Sequence, residues 1–351
     1  MSDVAVSTSV QSAAQSGDDA RAIGWWLLAV AGLVFIMVVV GGATRLTESG
    51  LSMVDWRPVT GMLPPITEAD WQAEFAKYQQ SPEYRLKNRG MSITQFKEIF
   101  YWEWGHRLLG RVIGLAFFVP MVWFWLRRRV PPGYKPRLVL LFLLGGSQGL
   151  LGWYMVQSGL VDEPAVSHYR LTAHLSLALV IFSALMWTAL SLLRPRPLAV
   201  DAPVPMLARL ALALAAVQIV MGALVAGLKA GLIYNQWPLM GEGFVPPALY
   251  DMAPLWRNFL DNAVTVQFDH RMGAYLLFAL SLVLGWFGIR HGGPVRTAVL
   301  AVFASVTVQM LLGVVALLLA VPVFWGAAHQ AGGVIVLASL IYLVHRTRTP
   351  G

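Results

Sequence analysis

The 351-residue chain contains no cysteine, and only 13% of its residues are charged. The first absence excludes disulfides, thiolate metal sites, Cys-ligated iron–sulfur clusters and thioether attachment of a haem. The second, beside a hydrophobic fraction of 57% and a mean hydropathy of +0.61, excludes an ordinary soluble core. Basic runs with interleaved aromatics are also missing outside the apolar stretches, which excludes nucleic acid as a partner despite a net charge of +8. Residues 1–22 lack the positive start and small-residue cleavage site of a signal peptide. They read as a disordered cytoplasmic tail.

What the chain does have is apolar stretches of about 20 residues, the length that crosses a bilayer. Eight occur, near 23–43, 101–126, 138–157, 169–193, 207–228, 267–290, 297–320 and 325–345. The expected fold class is therefore an all-α polytopic membrane protein. Arg127, Arg128, Arg129, Lys135 and Arg137 follow the second stretch, Arg194, Arg196 and Arg209 flank the start of the fifth, and Arg290 and Arg296 follow the sixth. Almost no acids accompany them, so the positive-inside bias puts these connections and both termini in the cytoplasm. The 44–99 connection balances seven basic with seven acidic residues, and the 158–168 loop carries Asp162 and Glu163. Both face outward. Some of the net charge serves attraction to anionic membrane lipid.

The chain repeats itself. GGATRLTESGLSMVDWRPVTGMLPP (41–65) aligns with MGALVAGLKAGLIYNQWPLMGEGFVPP (221–247), Gly50-Leu51 meeting Gly231-Leu232 and Trp56 meeting Trp237. GGSQGLLGWYMV (145–156) resembles VQMLLGVVALLL (308–319). Two parallel four-helix bundles follow, 23–193 and 207–346, joined by a cytoplasmic linker at 194–206 and followed by a tail at 347–351. The first bundle carries the longer outer loop, 44–99. Unequal loops on matched bundles point to different tasks for the two halves.

Ionisable side chains are expensive inside a bilayer and usually functional. Four histidines stand near the starts of even-numbered spans in repeated contexts. YWEWGHRLLGRVIG around His106 recurs as VQFDHRMGAYLL around His270, and LTAHLSLALV around His174 recurs as GAAHQAGGVIV around His329. All four share one depth near the outer face. Two imidazoles on separate helices, with their metal-bound nitrogens about 4 Å apart, are what a bis-histidine haem needs. Gly105, Gly110 and Gly114 near His106, and Gly332 and Gly333 after His329, leave room for a flat macrocycle or for close helix packing. Arg107 and Arg271 follow the first histidine of each pair, where a guanidinium reaches either a haem propionate or the lipid headgroups. Glu103 lies one turn before His106 on the same helix face, whereas the second half has neutral Gln267. A carboxylate beside one pocket only suits a reacting pocket paired with an electron-transfer pocket. His168, His291 and His345 read as solvated surface.

These residues resemble the haem A synthase family, membrane enzymes that complete the haem of cytochrome c oxidases. GGATRLTESGLSMVDW, PEYRLKNRGMSITQFKEIFYWEWGHRLLGR and NQWPLMGEGFVPP carry the resemblance, nearest to its proteobacterial and mitochondrial branch, and it extends from about residue 24 onward. It implies that His106 and His174 flank the substrate haem O, that His270 and His329 ligate a resident haem B, and that Glu103 is the glutamate required beside the substrate. The implied reaction turns the C8 methyl of haem O into a formyl group by successive hydroxylations, with loss of water from a gem-diol. Implied partners are the enzyme that makes haem O and an electron donor or acceptor; self-association is left open. Many Gram-positive relatives carry a loop cysteine pair that this chain lacks.

Two other readings share the same features. A dihaem electron carrier of the membrane cytochrome b type explains four histidines but not the one-sided Glu103. A transporter explains the repeat, but transporters break their helices near the midplane, and here Pro120 is the main interior break.

Overall fold

A computed structural model describes residues 2–56, 60–159 and 166–348, with side chains for residues 17–56, 60–157 and 166–348. Among the described residues eleven α-helices run in the order α1 (Ser2–Leu46), α2 (Glu68–Tyr78), α3 (Pro82–Leu86), α4 (Ile93–Leu126), α5 (Lys135–Gly159) and α6 (His168–Leu193), then α7 (Val204–Gly227), α8 (Asn258–Asp261), α9 (Ala263–Gly288), α10 (Gly293–Leu318) and α11 (Val323–Arg346). No named strand occurs among the described residues. Eight of these helices are long and apolar enough to cross a membrane: α1, α4, α5, α6, α7, α9, α10 and α11. The chain is an integral membrane protein of the all-α class.

Each half closes as a ring. In the first, α1 packs on α4 and α6, and α5 lies between α4 and α6. In the second, α7 packs on α9 and α11, and α10 lies between α9 and α11. The halves meet where α1 touches α11, α6 touches α7, and α6 touches α11. With hydrocarbon outside, helices gain little from hiding apolar surface and associate by close packing, which favours small residues. Ala208, Ala211 and Ala215 accordingly form a buried stripe on α7. A Cβ on Gly24 of α1 would stand 2.7 Å from Leu193 of α6, and one on Gly288 of α9 would stand 2.5 Å from Val299 of α10.

Pro120 does not break α4. Proline has no N–H to offer the carbonyl four residues back, so Ala116 loses its helical donor. Trp26 of α1 replaces it, its Nε1 donating to the Ala116 oxygen at 2.8 Å. The missing bond thereby becomes a tie between two helices.

Helix α1 runs from Ser2 into the first span. The connection between α6 and α7 is tied to the end of α11: α7 begins at Val204, Leu198 donates its N–H to the Arg346 oxygen at 2.6 Å, and Arg346 and Arg348 bind the carbonyls of Arg196 and Pro195, each at 2.6 Å. His345 is fully buried rather than solvated, 3.3 Å from Ser191 Oγ, with Arg348 Nη1 2.9 Å from its Nδ1. Asp162 and Glu163 lie outside the described residues.

The long connection between α1 and α4 is an ordered cap. Ser92 and Gln95 form a capping box at the start of α4, as do Thr67 and Asp70 at α2. Trp71, Phe75 and Tyr78 of α2 bury their rings against Phe96 and Phe100 of α4, which extends beyond its apolar stretch to receive them.

Candidate functional site: four histidines under two loops

His106, His174, His270 and His329 sit on α4, α6, α9 and α11, each in the half of its helix nearest the long connections. His106 lies within electrostatic reach of His174, and His270 within reach of His329. The rings of His270 and His329 stand 6.4 Å apart, centre to centre. An imidazole–metal bond is roughly 2 Å. Adding the distance from nitrogen to ring centre on both sides gives a separation close to the one observed.

Glutamine amides hold the turns that carry two of the histidines. Gln148 of α5 donates to the His174 oxygen at 3.1 Å, its Nε2 lying 3.4 Å from the ring. Gln218 of α7 donates to the His270 oxygen at 2.7 Å and lies 3.0 Å from Nδ1. Sequence reading missed both glutamines, although Gln148 falls inside the repeated segment. Of the expected open glycines, Gly105 and Gly114 do face free space, whereas the place of a Gly332 side chain is taken by Gln309.

Glu103 is 2% exposed. Its Oε2 accepts from the Ser52 hydroxyl at 2.7 Å and the Met53 N–H at 2.8 Å, and its Oε1 from Arg107 at 2.5 Å. Arg107 continues to the carbonyls of Met53 (3.0 Å) and Asp55 (3.2 Å). The second half repeats this with one charge removed. Gln267 donates to the Tyr234 oxygen at 3.0 Å, and Arg271 binds the carbonyls of Tyr234 (2.8 Å), Gln236 (2.9 Å) and Leu239 (3.2 Å). Met53 and Asp55 align with Tyr234 and Gln236 once Gly50 is set on Gly231. Both arginines therefore clamp equivalent loop carbonyls over their pockets, a role neither propionate contact nor snorkelling anticipated. The Nε of Arg271 is buried without a partner.

His168 is likewise engaged. Its Nε2 lies 3.1 Å from Asp261, which also accepts from Tyr169 at 2.5 Å and Arg257 at 3.0 Å. Those bonds, Tyr169 foremost, hold the Asp261 carboxyl below its usual range.

The residues suit a haem on three counts. Imidazoles are common axial ligands. Buried polar atoms without partners gather around the pairs, among them His174 Nδ1, Gln148 Oε1, Gln218 Oε1 and Tyr275 Oη. Native interiors rarely leave such atoms unmatched unless something else completes them. The ring spacing in the second half matches two ligands on one metal.

Comparison with known proteins agrees. Residues 24–341 match the COX15-CtaA family, described as cytochrome oxidase assembly protein. The Heme A synthase of Parvibaculum lavamentivorans is 53% identical over 93% of this chain and 94% of its own length. Those of Azorhizobium caulinodans (50% identical; 92% of this chain, 93% of the relative) and Rhodospirillum centenum (49%; 94% and 89%) are similar. With the match spanning both bundles and all four histidines, the chain belongs to the haem A synthase family.

Proposed function

We propose that the protein is a haem O oxidoreductase that converts the C8 methyl of haem O to the formyl group of haem A, for delivery to cytochrome c oxidase. The observation that carries this reading is the pair of histidine sites built alike but capped differently, ionic at Glu103–Arg107 and neutral at Gln267.

In this reading His106 and His174 hold the substrate haem O, and His270 and His329 ligate a haem B. Bound there, haem B supplies one-electron transfer. The chain's own residues do the rest. Glu103 is kept in place by Arg107, Ser52 and Met53, one turn from His106. A fixed anion at that position stabilises positive charge developing at the methyl carbon and offers a proton acceptor. The cap of α2 and α3 holds water away from the first pocket. Arg107 and Arg271 fix the loops that roof the two haems, and the free Nε of Arg271 is available to a propionate. The histidine sites face the outer side, with both termini cytoplasmic.

The test is extraction and chromatography of haems from protein purified out of cells that make haem O. Haem B together with haem O, haem A or an alcohol intermediate is expected. Haem B alone at two per chain would instead favour an electron carrier, and no haem would sink both.

A further inference from the structure

Each of the four histidines rests against a glycine of the preceding membrane helix in its ring. A Cβ built on Gly41 of α1 would lie 3.1 Å from His106 Nε2, and one on Gly152 of α5 would lie 3.0 Å from His174 Cε1. On Gly222 of α7 it would lie 3.1 Å from His270 Cε1, and on Gly313 of α10 it would lie 2.7 Å from His329 Cε1. Ordinary carbon–carbon contact begins near 3.5 Å. In all four places the imidazole stands closer than ordinary contact to where a side chain would begin, most closely at Gly313. Gly32 of α1 has nothing within 4 Å, whereas Gly24 and Gly42 of α1 and Gly227 of α7 crowd Leu193, Gln330 and His168.

The bared backbone also has something to offer. One helical turn before each glycine stands Met37, Gln148, Gln218 or Gln309. The His270 ring lies against Gln218, whose Nε2 is 3.0 Å from its Nδ1, while Nδ1 of His174 and of His329 is buried without a partner. A carbonyl one turn before a glycine is uncovered on that side because no Cβ shields it. A metal-bound histidine commonly donates its second ring N–H to such a carbonyl, which fixes the tautomer and leaves the other nitrogen for the metal.

We infer that Gly41, Gly152, Gly222 and Gly313 are the positioning residues of the four haem-ligating histidines. Their missing side chains let each imidazole lie close against the neighbouring helix, which fixes it in a ligating orientation. Helix identity alternates accordingly: α1, α5, α7 and α10 supply the seats, and α4, α6, α9 and α11 supply the ligands. The inference rests on the assignment of haem B to the second half and haem O to the first.

Single Gly→Ala substitutions test it, because alanine is the better helix former and does not threaten the helices themselves. The full-length protein is purified from haem O-producing cells. Haem B and haem O plus haem A per chain, the haem B optical spectrum and its reduction potential are measured, with monodispersity as the check on folding. Disturbed support of a metal-bound histidine weakens metal binding by about 10–100-fold. G222A and G313A should therefore lose haem B by about that factor, or retain it with a shifted spectrum and potential. G41A and G152A should keep haem B and lose haem O and haem A. G32A and G285A, whose added methyl meets nothing within 4 Å, should match the parent.

Parental haem content, spectrum and potential in all four seat variants would overturn the inference. Equal losses in G32A and G285A would overturn it too, since the effect would then be general to helix packing. Loss of haem B from G41A and G152A, with retention in G222A and G313A, would uphold the glycine seats and refute the assignment of haems to halves. A parent protein free of haem would refute both.

Discussion

Glu48 and Lys229 occupy the same place in the two halves, 181 residues apart, and they bond to each other. Each follows its half's first membrane helix, and each holds a left-handed backbone, with φ of 53° and 52°. Arg45 makes a second such contact, its Nη2 donating at 3.1 Å to the oxygen of Ala226, also 181 residues away. Residues meet their own repeat partners only near an axis relating the two copies, so these contacts mark where that axis leaves the bundle. The ammonium of Lys229 holds the Glu48 carboxyl below its usual range.

Reversing one charge there should weaken the joint between halves, and reversing both should restore it. Both side chains are about half exposed, so the pair contributes roughly 0–1 kcal/mol. Thermal unfolding in detergent of E48K, K229E and the double variant checks this. Additive losses in the double variant would mean the pair is not coupled.

Glu103→Gln should retain haem B and stall oxidation of the substrate, lowering haem A output by about 100-fold or more. Gln267 shows that an amide fits this position in the fold. Accumulated haem O or an alcohol intermediate, measured by chromatography, is the expected signature. Normal haem A output would remove Glu103 from the chemistry and leave it as a loop anchor.

Trp26→Phe should cost about 1–2 kcal/mol, because the Ala116 carbonyl beside Pro120 then has no donor. Pro120→Ala restores an N–H to that carbonyl and should suppress the loss. Unfolding midpoints of the two single variants and the double variant decide the matter, and equal effects of Trp26→Phe with and without Pro120 would refute it.

The cap should be stabler in mild acid than in base. Burial, eased by the Tyr78 hydroxyl at 3.2 Å, raises the Glu83 carboxyl to about 7. Between its ordinary pKa of 4.5 and about 7 the folded cap binds more protons than the unfolded chain, so stability falls as pH rises through that window. The loss is at most about 3 kcal/mol. Hydrogen exchange of α2 and α3 measures it. E83Q should flatten the profile, and an unchanged profile would point to another group.

Hydropathy alone located the eight spans, because a helix that meets lipid must be apolar along its length whatever it packs against. The repeat and the four histidines were legible for a related reason: an ionisable group in such a helix stands out, and its recurrence at a matched position stands out twice. Tertiary structure decided what those side chains touch. Glu103 and Arg107 neighbour His106 in sequence, but only the fold shows that their bonds beyond that helix run to Ser52, Met53 and Asp55, some 50 residues earlier. His345 looked like surface because it ends a span, and the last turn of α11 buries it against α6 instead. The glycine seats were invisible for the same physical reason. A glycine in a membrane helix has many uses, and only the position of the neighbouring imidazole shows which space its missing side chain leaves.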